Sequence, residues 1–264
     1  MIRLALSPCP NDTFAFYGLL HGKTSFTETI DVQYADIEAL NGICLNDAAD
    51  ICKISFGLYP RIYDRYQLLE GGSALGFGCG PLIVAREPDL EPTGARIAVP
   101  GANTTAKLLL DLYTQRDYQP VERVFDQIMP ACEAGEVDAG LIIHESRFTY
   151  QTHGLHKRVD LGEWWERVTG HPIPLGGIVA HQRVDADTLS RFDAALRESI
   201  DYAWRHQDEV VPFMRRHAQE MERSVMEQHV ALYVNDFTRA LGQTGRDAVA
   251  NLVLRARELD PAAD

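Results

Sequence analysis

The segment Ala139-Gly140-Leu141-Ile142-Ile143-His144-Glu145-Ser146-Arg147-Phe148 changes character in one step. Ala139 to Ile143 is a short apolar run, which reads as a buried strand. It stops at an imidazole, a carboxylate, a hydroxyl and a guanidinium. In open α/β sheets, ligands sit beyond the carboxyl ends of the strands. These four residues therefore fall where such a sheet binds its ligand. His144 alone among them has an ordinary pKa near neutrality, as a general base requires. The plainer alternative is a strand cap whose imidazole only bonds backbone.

The same alternation runs upstream. Ile2 to Leu6, Ile30 to Tyr34 and Asp50 to Ile54 read as strands. Helices are expected at Phe14 to His21, closed by Gly22, and from Asp36 as cap through Leu45. Phe56 to Tyr66 is expected to be helical despite Pro60. Strand, helix, strand, helix, strand is a parallel α/β pattern. Gly76, Gly78 and Gly80 lead into Pro81-Leu82-Ile83-Val84-Ala85, a strand, and not into a helix, so a dinucleotide fingerprint is rejected.

A second unit follows: strands at Arg96 to Val99 and Val121 to Phe125, helices at Thr104 to Gln115 and Ile128 to Ala134, then the strand leading to His144. Leu155 to Val159 is expected to return as a strand and Glu163 to Val168 as a short helix. From Asp187 onward helical spacing dominates. Proline-bearing stretches near Arg86 and at His171 to Gly177 read as crossovers. The expected organisation is a first domain of residues 1–85 and 178–264, a second of 86–177 inserted into it, and a ligand cleft between them.

Composition narrows the function classes. The 264 residues carry 25 Lys plus Arg against 38 Asp plus Glu, a net charge of −13. That argues against nucleic acid or an anionic membrane as partner. No stretch approaches the roughly 18–20 apolar residues of a membrane span. The start MIRLALSPCPND lacks the apolar core of a secretory leader. The 5 cysteines are widely spaced, with no Cys-x-x-Cys. Reduced thiols in a cytoplasm are the expectation, with Cys9 read as a packing residue in preference to a reactive thiol.

Three further segments share the geometry of His144. Thr104 and Thr105 open a helix, whose free amides attract anions. Lys53 and Ser55 end the third strand, and Ser7 and Asn11 flank the first turn. The bland readings are a helix cap, a solvated lysine and ordinary turn residues. The remaining histidines, His229 among them, read as surface or turn residues, and no metal motif stands out.

Taken in order, Ser7-Pro8-Cys9-Pro10-Asn11-Asp12-Thr13-Phe14, Lys53-Ile54-Ser55, Pro100-Gly101-x-x-Thr104-Thr105-Ala106, His144-Glu145-Ser146-Arg147-Phe148-Thr149-Tyr150, Leu161-Gly162-x-Trp164-Trp165 and Thr169-Gly170-x-Pro172-x-Pro174-Leu175-Gly176 resemble the 1,4-dihydroxy-6-naphthoate synthase family of the futalosine route to menaquinone. The likeness runs from about residue 3 to at least residue 250. It implies an α/β fold like the type II periplasmic binding proteins, two-lobed with a cleft. It implies a lyase in which His144 is the base, Lys53, Ile54, Ser55, Thr104 and Thr105 line the substrate site, and Ser7, Asn11 and Arg147 stand nearby. The implied substrate is a small-molecule carboxylate, cyclic dehypoxanthine futalosine. The implied products are 1,4-dihydroxy-6-naphthoate and dihydroxyacetone, without metal or organic cofactor. The chorismate dehydratase of the same pathway and a carboxylate-binding protein without catalysis are the alternatives.

Overall fold

The computed structural model describes residues 1–218 and 222–259. The chain opens with β1 (Ile2–Leu6), α1 (Pro10–Leu20), β2 (Ile30–Tyr34), α2 (Ile37–Leu45), β3 (Ile51–Ser55), β4 (Tyr66–Leu68) and β5 (Ala74–Gly76). It continues with β6 (Leu82–Ala85), β7 (Arg96–Val99), α3 (Thr105–Thr114), β8 (Gln119–Glu122), α4 (Ile128–Glu133), β9 (Ala139–Ile142), α5 (Ser146–Thr149), β10 (His156–Asp160) and α6 (Leu161–Thr169). It closes with β11 (Ile173–His181), α7 (Ala186–Arg205), α8 (Gln207–His217), α9 (Arg223–Tyr233), α10 (Asp236–Arg239) and α11 (Gly242–Leu259).

Two sheets form two lobes. The first has the order β2-β1-β3-β11-β4, with β5 also paired to β11; the second has the order β10-β6-β9-β7-β8. β1, β2 and β3 are parallel, as are β7, β8 and β9, while β11 runs against β3 and β6 against β9. The parallel strands are the βα repeats legible in the sequence. The antiparallel ones are the two places where the chain changes lobe.

Local chemistry sets the helix starts. Asp36 accepts from the amides of Glu38 and Ala39, and Asp185 from that of Thr188, which satisfies donors a helix start leaves free. α1 begins earlier than expected. Pro10 is its first residue and Cys9 its cap, because proline has no amide hydrogen to lose and a preset φ. β9 is buried along its whole length. A Cβ on Gly140 would lie 2.6 Å from Ile128 and 2.7 Å from Cys132, so only glycine lets α4 press onto this strand.

Three expectations fail. Residues 56–66 hold only a short 3₁₀ turn at Tyr59–Arg61 and then start β4. The Gly57 amide donates to Thr105 Oγ1 at 2.9 Å, and Pro60 can donate nothing, so no α-helix propagates. The expected crossover at 171–177 is instead the first half of a nine-residue strand. Its prolines are tolerated because the pairing with β5 is irregular between Pro174 and Gly176. Finally, β6 pairs with β9 and β10 in the second sheet. The chain thus crosses between β5 and β6, ahead of Arg86, and returns between α6 and β11, ahead of residue 178. The prolines at 88 and 92 lie in a loop of the second lobe.

Apolar packing joins the lobes. One cluster contains Ile83, Ile97, Leu109 and Trp165 of the second lobe together with Phe56, Leu75, Tyr233, Val249 and Leu252 from outside it. Burying a side chain of this size contributes about 1.5–3 kcal/mol, so this shared core is a substantial part of the stability of both. No helix among the described residues is long and apolar enough to cross a membrane.

Candidate active site

A cleft with about 690 Å³ of empty space, open solvent included, lies between the lobes, a position where small-molecule sites are common. The ends of β1, β3 and β9, the start of α3, and α9 face it. Ser7, Asn11, Lys53, Ser55, Thr104, Thr105, His144 and Arg147 all line it. Ile54 does not: its side chain is fully buried with Leu40, Cys52 and Leu58 on the other side of the sheet, as strand alternation between Lys53 and Ser55 requires.

His144 follows β9 with a φ of +56°. A non-glycine residue in the left-handed region is uncommon and costs roughly 1–3 kcal/mol unless its surroundings hold it. Here the strand below and α5 after it do so. Its Nδ1 lies 3.6 Å from Cys9 Sγ, and Phe125 meets the ring edge-on at 5.2 Å between centroids. Nε2 has no hydrogen-bond partner among the described residues. Burial pushes the His144 pKa below the usual imidazole value, opposed by the charge of Glu145. The imidazole is therefore held neutral and able to accept a proton.

Lys53 is buried, and its Nζ donates to Asp12 Oδ1 at 2.8 Å. The solvated-lysine reading is thus wrong, and Asp12 is a residue sequence reasoning missed. A buried lysine needs a paired acceptor, and Asp12 supplies one from the first turn of α1. Asn11 Nδ2 donates to the same carboxylate at 2.9 Å.

The threonines are more committed than expected. Thr104 Oγ1 donates to Gly101 O and accepts from the Lys107 amide, while Thr105 Oγ1 donates to Leu175 O at 2.5 Å. Both hydroxyl protons are spent within the protein. The unspent donors are the amides of Thr105 and Ala106, which have no acceptor among the described residues. Arg147 is likewise engaged: it donates to Gly80 O at 2.5 Å and to Asp160 at 3.2 Å. It braces the turn that carries His144 against the crossing segment. Ser7 Oγ accepts from the Cys9 amide at 3.0 Å, and Ser55 Oγ from Asn41 at 3.2 Å.

Sequence reasoning also missed His229 and Tyr233 on α9, which line the cavity. His229 is 1% exposed, so its surface assignment is overturned. Its Nε2 pairs with Asn11 Oδ1 at 2.9 Å, and its ring lies parallel to that of His144 at 6.3 Å. Helical spacing from Met226 through Val230 to Val234 puts His229 on the buried face, the one signal available. Its Nδ1 lies 3.9 Å from Glu145 Oε2, and both atoms are buried without a hydrogen-bond partner. An unpaired buried acceptor costs about 1–3 kcal/mol. The described residues contain no group of three or more His, Cys, Asp or Glu arranged to hold a metal ion.

Comparison with known proteins places these features in a lineage. A family model described as menaquinone biosynthesis matches residues 2–258. A 1,4-dihydroxy-6-naphthoate synthase of Streptomyces coelicolor is 45% identical over 261 residues, covering 97% of this chain and 92% of its own. The enzyme of that name from Thermus thermophilus is 46% identical over 262 residues, covering 99% and 96%. A solved protein from Archaeoglobus fulgidus superposes with a TM-score of 0.93 at 35% identity, covering 98% of this chain and 97% of its own. The periplasmic aliphatic sulphonate binding protein of Escherichia coli shares the fold alone, with a TM-score of 0.69 at 11% identity over 98% of this chain and 85% of its own. With a binding-protein fold, a titratable residue in the cleft and full-length kinship to two synthases, the chain belongs to the menaquinone biosynthesis family.

Proposed function

We propose that this protein is a lyase that splits cyclic dehypoxanthine futalosine into 1,4-dihydroxy-6-naphthoate and dihydroxyacetone. The observation that carries the reading is the near-complete coverage by two synthases at 45% and 46% identity. The site suits the chemistry. A neutral imidazole at His144 takes a proton from the sugar-derived part of the substrate. The unpaired amides at the start of α3 receive the aromatic carboxylate, aided by the helix dipole. Lys53, held by Asp12 at 2.8 Å, adds an ammonium donor to the same cavity. Aromatisation of the bicyclic product supplies driving force, so the protein's task is to place the base, orient the bond that breaks and exclude water.

The test is turnover by purified protein. Cyclic dehypoxanthine futalosine should yield the naphthoate, followed by chromatography, while chorismate is left unchanged. Consumption of chorismate, or of neither compound, overturns the reading.

A further inference from the structure

His144 stands between two unlike spaces. Beside the main cleft lies a side chamber with about 500 Å³ of empty space, open solvent included. Ser7, Ile37 and His144 border both. The main cleft carries the cations, Lys53 and Arg147, and the unspent amides at the start of α3. Among the described residues the chamber is lined by no lysine or arginine, and its carboxylates are Asp36 and Glu145. Glu145 Oε2 is turned toward His229, and no role in the chamber falls to it. Asp36 caps α2 with Oδ1 alone, accepting from Glu38 and Ala39 at 3.0 Å, and its Oδ2 takes no hydrogen bond among the described residues. Tyr34 ends β2, at the carboxyl end of a strand. Its hydroxyl has no hydrogen-bond partner among the described residues, and burial pushes its pKa up to about 12, so it stays a donor at neutrality. Ser7 Oγ accepts from the Cys9 amide and spends its own proton on no described residue. Pro8, Pro10 and Phe125 supply apolar wall. One carboxylate and two hydroxyls in such a wall disfavour an anion and suit a small neutral polyol, whose hydroxyls both donate and accept.

We propose that the side chamber is the subsite for the hydroxylated three-carbon part of the substrate, and that Tyr34 and Asp36 are the residues that select it. The assignment rests on the reading of the reaction given above. The bicyclic carboxylate occupies the main cleft, where the donors are. The part that leaves as dihydroxyacetone, two hydroxyls and a carbonyl without charge, occupies the chamber, where the acceptors are. Asp36 Oδ2 accepts from a hydroxyl of that part, and the Tyr34 hydroxyl donates to one of its oxygens. His144, bordering both spaces, then stands where the two halves of the substrate join. The sign of the charge on either side of His144 fixes the direction in which the substrate lies. A reversed molecule would bring its carboxylate against Asp36 and leave the Lys53 ammonium and the α3 amides without an anion. Asp36 is exposed and Tyr34 half-buried, so the chamber meets solvent on that side, and the small product has a way out that does not pass the ring.

The experiment compares substrate with product in Tyr34→Phe, Asp36→Asn and the double variant. Both changes spare the fold. Phenylalanine keeps the ring that packs on His217 at 4.4 Å between centroids, and asparagine caps a helix as well as aspartate does. Asp36→Asn also removes one of the charges that raise the His144 pKa. Rates are therefore taken on the alkaline side of neutrality, where the imidazole is neutral in every protein compared. Each single variant should lose about 3–10-fold in kcat/KM for cyclic dehypoxanthine futalosine, and the double variant more than either. Naphthoate affinity, measured by calorimetry, should stay at the wild-type value, because the naphthoate does not enter the chamber. A merely structural role at the mouth of the cleft would weaken naphthoate and substrate together. A double variant with wild-type kcat/KM, or one whose naphthoate affinity falls in step with kcat/KM, overturns the proposal. Wild-type protein that forms no naphthoate at all defeats the reading of the reaction instead, so the two failures are distinct.

Discussion

Cys9 and His144 meet across the cleft, with Sγ at the start of α1 in one lobe 3.6 Å from Nδ1 beyond β9 in the other. Burial, with the nearby charge of Glu145, pushes the Cys9 thiol well up from its usual value. Cys79 and Cys132 are pushed up to about 12, chiefly by burial. All five cysteines are free and buried, and structural buried cysteines are inert because a reagent cannot reach them. Native protein treated with iodoacetamide at mildly alkaline pH should therefore gain no label in minutes, and unfolded protein should gain five. Mass spectrometry counts the adducts. Rapid labelling of Cys9 in the native state would contradict the closed contact.

Removing the base should separate chemistry from binding. His144→Asn keeps a polar side chain but accepts no proton at this pH. Turnover should drop by about 10²–10⁴-fold, while naphthoate affinity, measured by calorimetry, changes little. A variant with near wild-type rate would mean that another group takes the proton.

Acid should weaken the fold from just below neutrality. His144 and His229 both have pKa values lowered from 6.5 by burial. Below that value the unfolded chain binds protons that the folded chain refuses, so stability falls as pH falls. Urea midpoints measured from neutrality to about one unit below 6.5 should decline. A flat profile would mean that the imidazoles are solvated.

Gly57 is a contact point of the closed cleft. A Cβ there would lie 2.8 Å from the Thr104 carbonyl oxygen and 2.9 Å from the Thr105 nitrogen. Gly57→Ala should hold the lobes apart at the start of α3, displacing the amides that receive the carboxylate. The expected result is a higher KM and weaker naphthoate binding with a melting temperature close to wild type. Small-angle scattering with product present should show a larger radius of gyration than wild type. Unchanged affinity would place the anion site elsewhere.

The βα repeats were legible because their signals are local. Asp36, Pro10 and the apolar runs of β1, β3 and β9 act through neighbours a few residues away. So was most of the cavity, since strand carboxyl ends can be counted along the chain. What was not legible depends on contacts between distant segments. Asp12 is paired because Lys53, 41 residues on, is buried beside it. His229 is inside because α1 covers α9. The limits of the second lobe were misplaced because β6 has the same apolar character in either sheet, and only its partners β9 and β10 decide.

The apolar cluster that runs from Trp165 to Leu252 bears on how such a gene can be cut and recombined. A fragment limited to β6 through α6 would leave half of that cluster in water and should not survive as a separate product. Exchanging this lobe with that of a relative would require carrying over the inner face of α11 as well, where Ala248, Val249 and Leu252 complete the packing. The helix at the far end of the chain thus constrains which versions of the middle can be inherited with it.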